Sequence, residues 1–187
     1  MKYFLHLFKW DVILLNRNQL FMIAAVITLL YIGIFYLLKP LGNLTTILII
    51  LIFNDPVITG LLFAGVLWMF DKNQNTLQAI AVLPVSPSFY LLSKAMVLSL
   101  LATLLSFIMT IAAMGLNFNG LHLFTSVFFS AFMFSCLGFC IGALARNFNQ
   151  FLLYMIPVLL LNAVPFLSIF DIGEIWYFLA LPSTGGI

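Results

Sequence analysis

Residues 71–94 read DKNQNTLQAIAVLPVSPSFYLLSK, the longest stretch of the chain that water can hold. Apolar runs too long for an ordinary protein core flank it on both sides. The pattern predicts a short helix bracketed by turns, placed where two membrane spans return to the same face. Asn75 has the chemistry of a helix N-cap, and Gln78, three residues on, can return the bond, the spacing of a capping box. Leu77, Ile80 and Leu83, with Ala79, Ala81 and Val82, make this helix more apolar than a solvated loop needs. Pro84 and Pro87 stop it, because proline supplies no amide hydrogen and disfavours helix in the residue before it. A loop helix with surplus apolar side chains calls for a partner surface.

The rest of the chain sets that segment in a membrane. The 187 residues are 65% hydrophobic and 6% charged, with a mean hydropathy of +1.23. Water-soluble domains carry about 25% charged residues, which excludes that class. Apolar runs of about 20 residues are the signature of membrane spans. Without water in the lipid core, the backbone must satisfy its own hydrogen bonds, which leaves helices or closed barrels. Barrel strands alternate in short segments. The unbroken runs here predict an all-α, polytopic transmembrane bundle as one domain over residues 1–187. The net charge of +2 says little by itself; lipid, and no nucleic acid, is the expected partner. Cys136 and Cys140 both fall within one apolar run and imply no disulfide framework. Lys9, Asp11 and Arg17 are scattered through the first 20 residues with no small-residue cleavage site after them, so a signal peptide is not expected.

Outward from the central segment, about five spans are predicted. Residues 1–18 are apolar but punctuated by charge. They suit a helix lying in the interface, with Tyr3 and Trp10 at headgroup depth, or the ragged start of the first span. That span covers 19–38. Block 44–70 contains Asn54-Asp55-Pro56 and is too short for two crossings of about 20 residues each, so it reads as one crossing bent near Pro56. The third span covers 91–114, a turn follows at Gly115–Gly120, and the fourth covers 121–145. The fifth runs over 148–170 with Pro157 and Pro165 inside it. An N-terminus in the cytoplasm puts Lys2, Lys9, Arg17, Lys72, Lys94 and Arg146 inside and only Lys39 outside, the orientation favoured by the positive-inside rule.

The order of these pieces resembles the membrane subunits of type-2 ABC exporters. At the place of the central segment that family has an acidic residue, Gly-Thr-Leu, Thr-Pro and a lysine on the next span. The matching residues here are Asp71, Thr76, Leu77, Pro84, Val85, Ser86, Tyr90, Leu91, Leu92, Ser93 and Lys94, with Asn75 in place of the family glycine. Trp10, Asp11 and Arg17 in KWDVILLNRNQL, and Asp55-Pro56…Gly60, look closest to the fluoroquinolone-export permease branch. The resemblance implies a bacterial inner-membrane exporter half that pairs with a second permease subunit, as a homo- or heterodimer. Residues 71–90 would be its cytoplasmic coupling segment, seated in a groove of a separate ABC-type ATPase through Asp71, Asn75, Thr76, Leu77, Gln78, Ile80, Leu83 and Pro84. Residues 171–187 resemble part of a re-entrant region, and the family's sixth span is expected to be missing. No G-x-x-x-x-G-K-[ST] pattern occurs in the chain, so ATP is expected on the partner, with no cofactor here.

Few residues within the spans carry chemistry. Asp55 is the one acid well inside an apolar block, and intramembrane ionisable groups are costly enough to mark function. It suits a substrate path that attracts cations, and it also suits a helix cap with Pro56 at the first helical position. Asn162, between Pro157 and Pro165, suits either a pathway wall or one interhelical hydrogen bond worth about 1 kcal/mol. Gly138 and Gly142 form a G-x-x-x-G that lets helices approach closely, read as packing within the subunit. Cys136 and Cys140 have no His or acid on their face, so no metal site is expected. His6 and His122 sit at helix starts and suit interface exposure. With no paired polar groups at depth, no catalytic residue is assigned. The leading function is export of a hydrophobic or drug-like compound; the alternative is a truncated or regulatory membrane scaffold that moves nothing.

Overall fold

The computed structural model describes residues 2–38, 44–74, 76, 78 and 86–163. Among these there are helices and no strands. In chain order they are α1 (Lys2–Arg17), α2 (Leu20–Leu38), α3 (Leu44–Pro56), a π-helical stretch (Val57–Leu62), α4 (Phe63–Asn73), α5 (Pro87–Met114), α6 (Gly120–Leu144) and α7 (Phe148–Ala163). Among the described residues, four helical segments are long and apolar enough to cross a membrane: Leu20–Leu38, Ile50–Asn73, Pro87–Met114 and Gly120–Leu144. The fifth expected span is described as a helix only to Ala163, and its remainder with Pro165 lies outside the described residues. The expected re-entrant region at 171–187 lies outside them too.

Block 44–70 is one continuous helical stretch, as a single crossing requires. Its helix does not restart at Asp55, as the cap reading had it, but runs through Asp55 and Pro56 into the π-helical stretch. Proline removes one hydrogen-bond donor and its ring crowds the carbonyl four residues back. Widening the next turns to π geometry lets the helix continue past that defect, and such wide turns recur at functional sites.

Pro87 also departs from its sequence reading. It opens α5 as the first helical residue, where its missing amide hydrogen costs nothing. Ser86 caps that start, its Oγ accepting from the Phe89 amide at 3.4 Å. At 28 residues and about 1.5 Å per residue, α5 outruns a hydrocarbon core about 30 Å thick. Its first turns therefore stand near the interface.

Helix α5 is the centre of the bundle and packs against α1, α2, α3, α4 and α6. Leu98, Leu101 and Leu105 of α5 meet Leu15 of α1, Leu20 and Ala24 of α2, and Phe63 and Leu67 of α4. Val57, Leu61, Phe134 and Phe151 form a second cluster joining the π-helical stretch to α6 and α7. Phe35, Leu48, Ile52, Met109 and Val127 close the far end. The buried hydroxyls of Thr28, Thr59, Ser99, Thr103 and Thr110 donate to carbonyls four residues back in their own helices. This satisfies them without interhelical partners. Outside, α2 shows Met22, Val26, Leu29, Leu30 and Leu37, a surface suited to lipid and not to water.

The corner from α1 to α2 is sharp. Gln19 takes φ of 59° there, a left-handed conformation that strains side chains branched at Cβ most. Gln19→Val is expected to lower stability by about 1–2 kcal/mol, while Gln19→Gly leaves the thermal midpoint in detergent unchanged or raises it.

Candidate functional site

Three stretches of chain meet where the quoted segment leaves and re-enters the bundle. From α4 comes Asp71, from the first turns of α5 come Tyr90, Ser93 and Lys94, and from α1 comes Asp11. Tyr90 and Lys94 are four residues apart and share a face of α5. Both converge on Asp71: the Tyr90 hydroxyl donates to Asp71 Oδ2 at 2.6 Å, and Lys94 Nζ donates to the same oxygen at 2.8 Å. Ser93 lies about 100° round the helix and turns to α1, its hydroxyl donating to Asp11 Oδ2 at 2.5 Å. The Lys94 ammonium also stands 3.9 Å from Asp11 Oδ1 and 4.8 Å from the centroid of the Tyr90 ring.

Every member of this cluster is withdrawn from solvent: Lys94 is 2% exposed, Asp71 4% and Asp11 6%. Buried charge is tolerated only when it is paired and hydrogen-bonded, and here each ion has both kinds of partner. Burial pushes the Asp11 carboxyl above its ordinary value; the Ser93 hydrogen bond and the Lys94 ammonium pull it back, and Asp71 adds to the rise. Lys94 is thus a cation set between two buried carboxylates on different helices. It ties α1 and α4 to α5.

A second tie holds the same end of α4. Lys72, next to Asp71, points to the other side and donates to the Ala145 carbonyl at 3.0 Å. Ala145 caps the C-terminus of α6, where unpaired carbonyls favour a cation. Beyond it Asn147 Oδ1 accepts from the Gln150 amide at 2.9 Å, and Gln150 Oε1 accepts from the Arg146 amide at 2.8 Å. This reciprocal cap starts α7. The last turn of α4 is therefore fastened to α5 on one side and to the α6–α7 corner on the other.

A family model described as ABC-2 type transporter matches residues 3–179. The chain belongs to the ABC-2 type transporter family. It is a multi-pass membrane protein and a membrane permease component of an ABC transporter. No curated protein and no solved structure matched the chain.

In this ABC-2 chain the expected site residues fall in different places. Asp71 is turned into the protein, where Tyr90 and Lys94 hold it at the base of the segment. Thr76 and Gln78 are helical, Thr76 half-buried and Gln78 exposed. Asn75, Leu77, Ile80, Leu83 and Pro84, and with them the capping-box reading, lie outside the described residues. Asp55 is inside the bundle at 2% exposure, and Asn162 is buried at 6%, near the end of α7. Gly138 and Gly142 pack within the chain. A Cβ on Gly138 would strike the Leu61 carbonyl oxygen and lie 2.9 Å from Ala64 Cβ, and one on Gly142 would lie 3.1 Å from the Trp68 ring. Gly60 answers from the π-helical side, where a Cβ would lie 2.8 Å from the Ala131 carbonyl oxygen. Cys136 and Cys140 are exposed on an apolar groove of about 320 Å³ lined also by Trp68, Leu91, Phe132 and Phe139. Among the described residues no cluster of three or more His, Cys, Asp or Glu could hold a metal ion.

Asp11 is the residue whose role sequence reasoning missed. It was singled out only for a family likeness, and its partner Ser93 lies 82 residues away. One signal was present: it is the only acid in α1, with Val12, Leu14 and Leu15 close behind it, and an acid on the apolar stripe of an interfacial helix needs a buried donor.

Proposed function

We propose that the chain is the permease subunit of an ATP-binding-cassette exporter, moving a hydrophobic or drug-like compound outward across a bacterial inner membrane. The energy comes from a separate ATPase subunit, which docks on residues 71–90. A second permease subunit completes the pathway, and the N-terminus is cytoplasmic. The observation that carries this is the double fastening of α4 beneath that segment, by Asp71 to Lys94 and by Lys72 to Ala145. A loop that only connected two spans would need no such base. A loop that is pushed and pulled by a motor needs one, because force enters the spans only through a stiff joint.

In this mechanism the ATPase moves the segment as it binds and hydrolyses ATP. The Lys94–Asp71 bridge makes α4 and α5 move together, and the Asp11–Ser93 bond carries α1 with them. The basic residues support the orientation. Lys72, Lys94 and Arg146 belong to the end of the bundle where α1 docks, as the positive-inside rule requires of a cytoplasmic face. The surplus apolar side chains of residues 77–83 suit a groove on the ATPase.

Gln78 is exposed and gives the test. With Cys136 and Cys140 replaced by serine, Gln78→Cys in native membranes is expected to crosslink to an ATPase subunit and to react with reagents added from the cytoplasmic side. Labelling only from outside the cell, or no crosslink to an ATPase, would contradict the docking and the orientation.

A further inference from the structure

Asp55 lies in the span Ile50–Asn73, far along the helix from the ion cluster at Asp71. Its carboxyl is 2% exposed, and neither oxygen has a hydrogen-bond partner among the described residues. No cation pairs with it there: the ion pairs of the described residues are those of Lys94. The helices packed against α3 offer no cation to offset a negative charge, only hydroxyls. Leu98–Met114 of α5 and Val127–Leu144 of α6 contain no ionisable side chain apart from the thiols of Cys136 and Cys140, and on α2 there are the phenols of Tyr31 and Tyr36. Tyr31 faces Asp55, and its oxygen accepts from Asn54 Nδ2 at 2.8 Å. A carboxylate ion in such surroundings is far more costly than the neutral acid.

One neighbour suits the neutral acid. The Ser106 hydroxyl of α5 faces Asp55 without closing a hydrogen bond in this arrangement, and it too lacks a partner among the described residues. A protonated carboxyl has one O–H to donate and an oxygen left to accept, and a serine hydroxyl can answer either. Two other hydroxyls nearby are committed, Thr59 to the Asp55 carbonyl and Thr110 to the Ser106 carbonyl. A bare metal cation would need several free oxygen ligands; beside the Asp55 carboxyl the facing side-chain oxygens are those of Ser106 and Tyr31, and the Tyr31 oxygen already accepts from Asn54.

We propose that Asp55 is an intramembrane proton-binding site, with Ser106 as the hydrogen-bonding partner of the acid form. The proton comes from water and returns to it; no other bond changes. Asp55 stands just before Pro56 and the π-helical stretch, and its own carbonyl accepts the Thr59 hydroxyl at 2.7 Å. Loss of the proton would put an unpaired charge between α3 and α5 and press the wide turn away from α5. The proton therefore spares this part of the span an unpaired buried charge.

The test is chemical modification in native membranes with dicyclohexylcarbodiimide, a lipid-soluble reagent that attacks protonated carboxyls, mapped by mass spectrometry. Asp55 is expected to be labelled at neutral pH, with labelling falling about tenfold per pH unit above the proton's midpoint. Asp55→Asn, which keeps the shape and neutrality of the acid form, should lose the label and keep the parent's thermal midpoint. Independently of reagent access, the parent's thermal midpoint in detergent should fall as pH rises while that of Asp55→Asn does not fall with it; parallel pH profiles for the two would overturn the proposal. Labelling suppressed by sodium but not by choline would also overturn it, by assigning the site to a metal cation.

Discussion

Lys94→Met is expected to cost about 3–5 kcal/mol, the range for removing one partner from a buried ion pair. Methionine fills much of the space of the lysine stem, so packing is largely conserved and the loss is electrostatic. Asp11 and Asp71 are left facing each other with no cation between them. The same logic gives a rescue. Asp11→Asn and Asp71→Asn added to Lys94→Met remove both orphaned charges and leave acceptors for Ser93 and Tyr90. The triple variant should recover most of the lost stability, since deleting a whole buried ionic group is often close to neutral. Thermal unfolding in detergent reads both effects. If Lys94→Met unfolds with the parent, the cluster does not hold this end of the bundle together.

Acid gives a second readout of the same cluster. Burial holds the Asp11 carboxyl above its ordinary 3.8, opposed by the Ser93 hydrogen bond and by Lys94. A carboxyl whose folded value lies above its unfolded value stabilises the fold fully below the unfolded value. It loses that contribution as pH rises through the folded one. Lys94→Met removes one of the groups that pull the value down. The variant should therefore regain stability as pH is lowered, and more steeply than the parent.

Gly138→Leu is the other change with a large expected effect. The first atom of a side chain at Gly138 meets backbone, the Leu61 carbonyl of the π-helical stretch, and Ala64 Cβ behind it. Backbone cannot rotate aside as a side chain does. Helix α6 must move off α4, and the cost is expected at about 3 kcal/mol, the upper end of overpacking. Gly33→Leu is the control. It lies on the outer face of α2 with nothing within 4 Å of its Cβ, and it should change stability by about 0.5 kcal/mol or less. Equal effects at the two positions would mean that Gly138 does not pack within the chain.

Features written in one stretch of residues were legible in the sequence. Apolar runs gave the helical bundle, because lipid requires long unbroken helices. Asn119 and Gly115 gave the turn between α5 and α6, with the Asn119 side chain accepting from the Leu121 and His122 amides and Gly115 at φ of 71°. Gly138 and Gly142 were read as packing within the subunit, and they meet Leu61, Ala64 and Trp68 of the same chain. What required two distant stretches was not legible. The family likeness sets Asp71 on the ATPase-facing segment, and nothing in the neighbouring residues shows that it is buried at 4% exposure. Only the approach of Tyr90 and Lys94 turns it inward. Asp55-Pro56 has the composition of a helix start, and the tertiary packing of α3 against α5 and α6 overrides it. Pro87 looked like a stop because proline ends one helix and begins another with the same chemistry.

The most direct test of the account joins its two parts, the buried cluster and the docking segment. Crosslinking of Gln78→Cys to the ATPase should be compared in native membranes with and without Lys94→Met, and with the triple variant. The expected result is a large fall in yield for Lys94→Met and recovery in the triple variant at equal amounts of membrane-inserted protein. An undiminished yield from Lys94→Met would show that the segment keeps its place without the ion cluster beneath it.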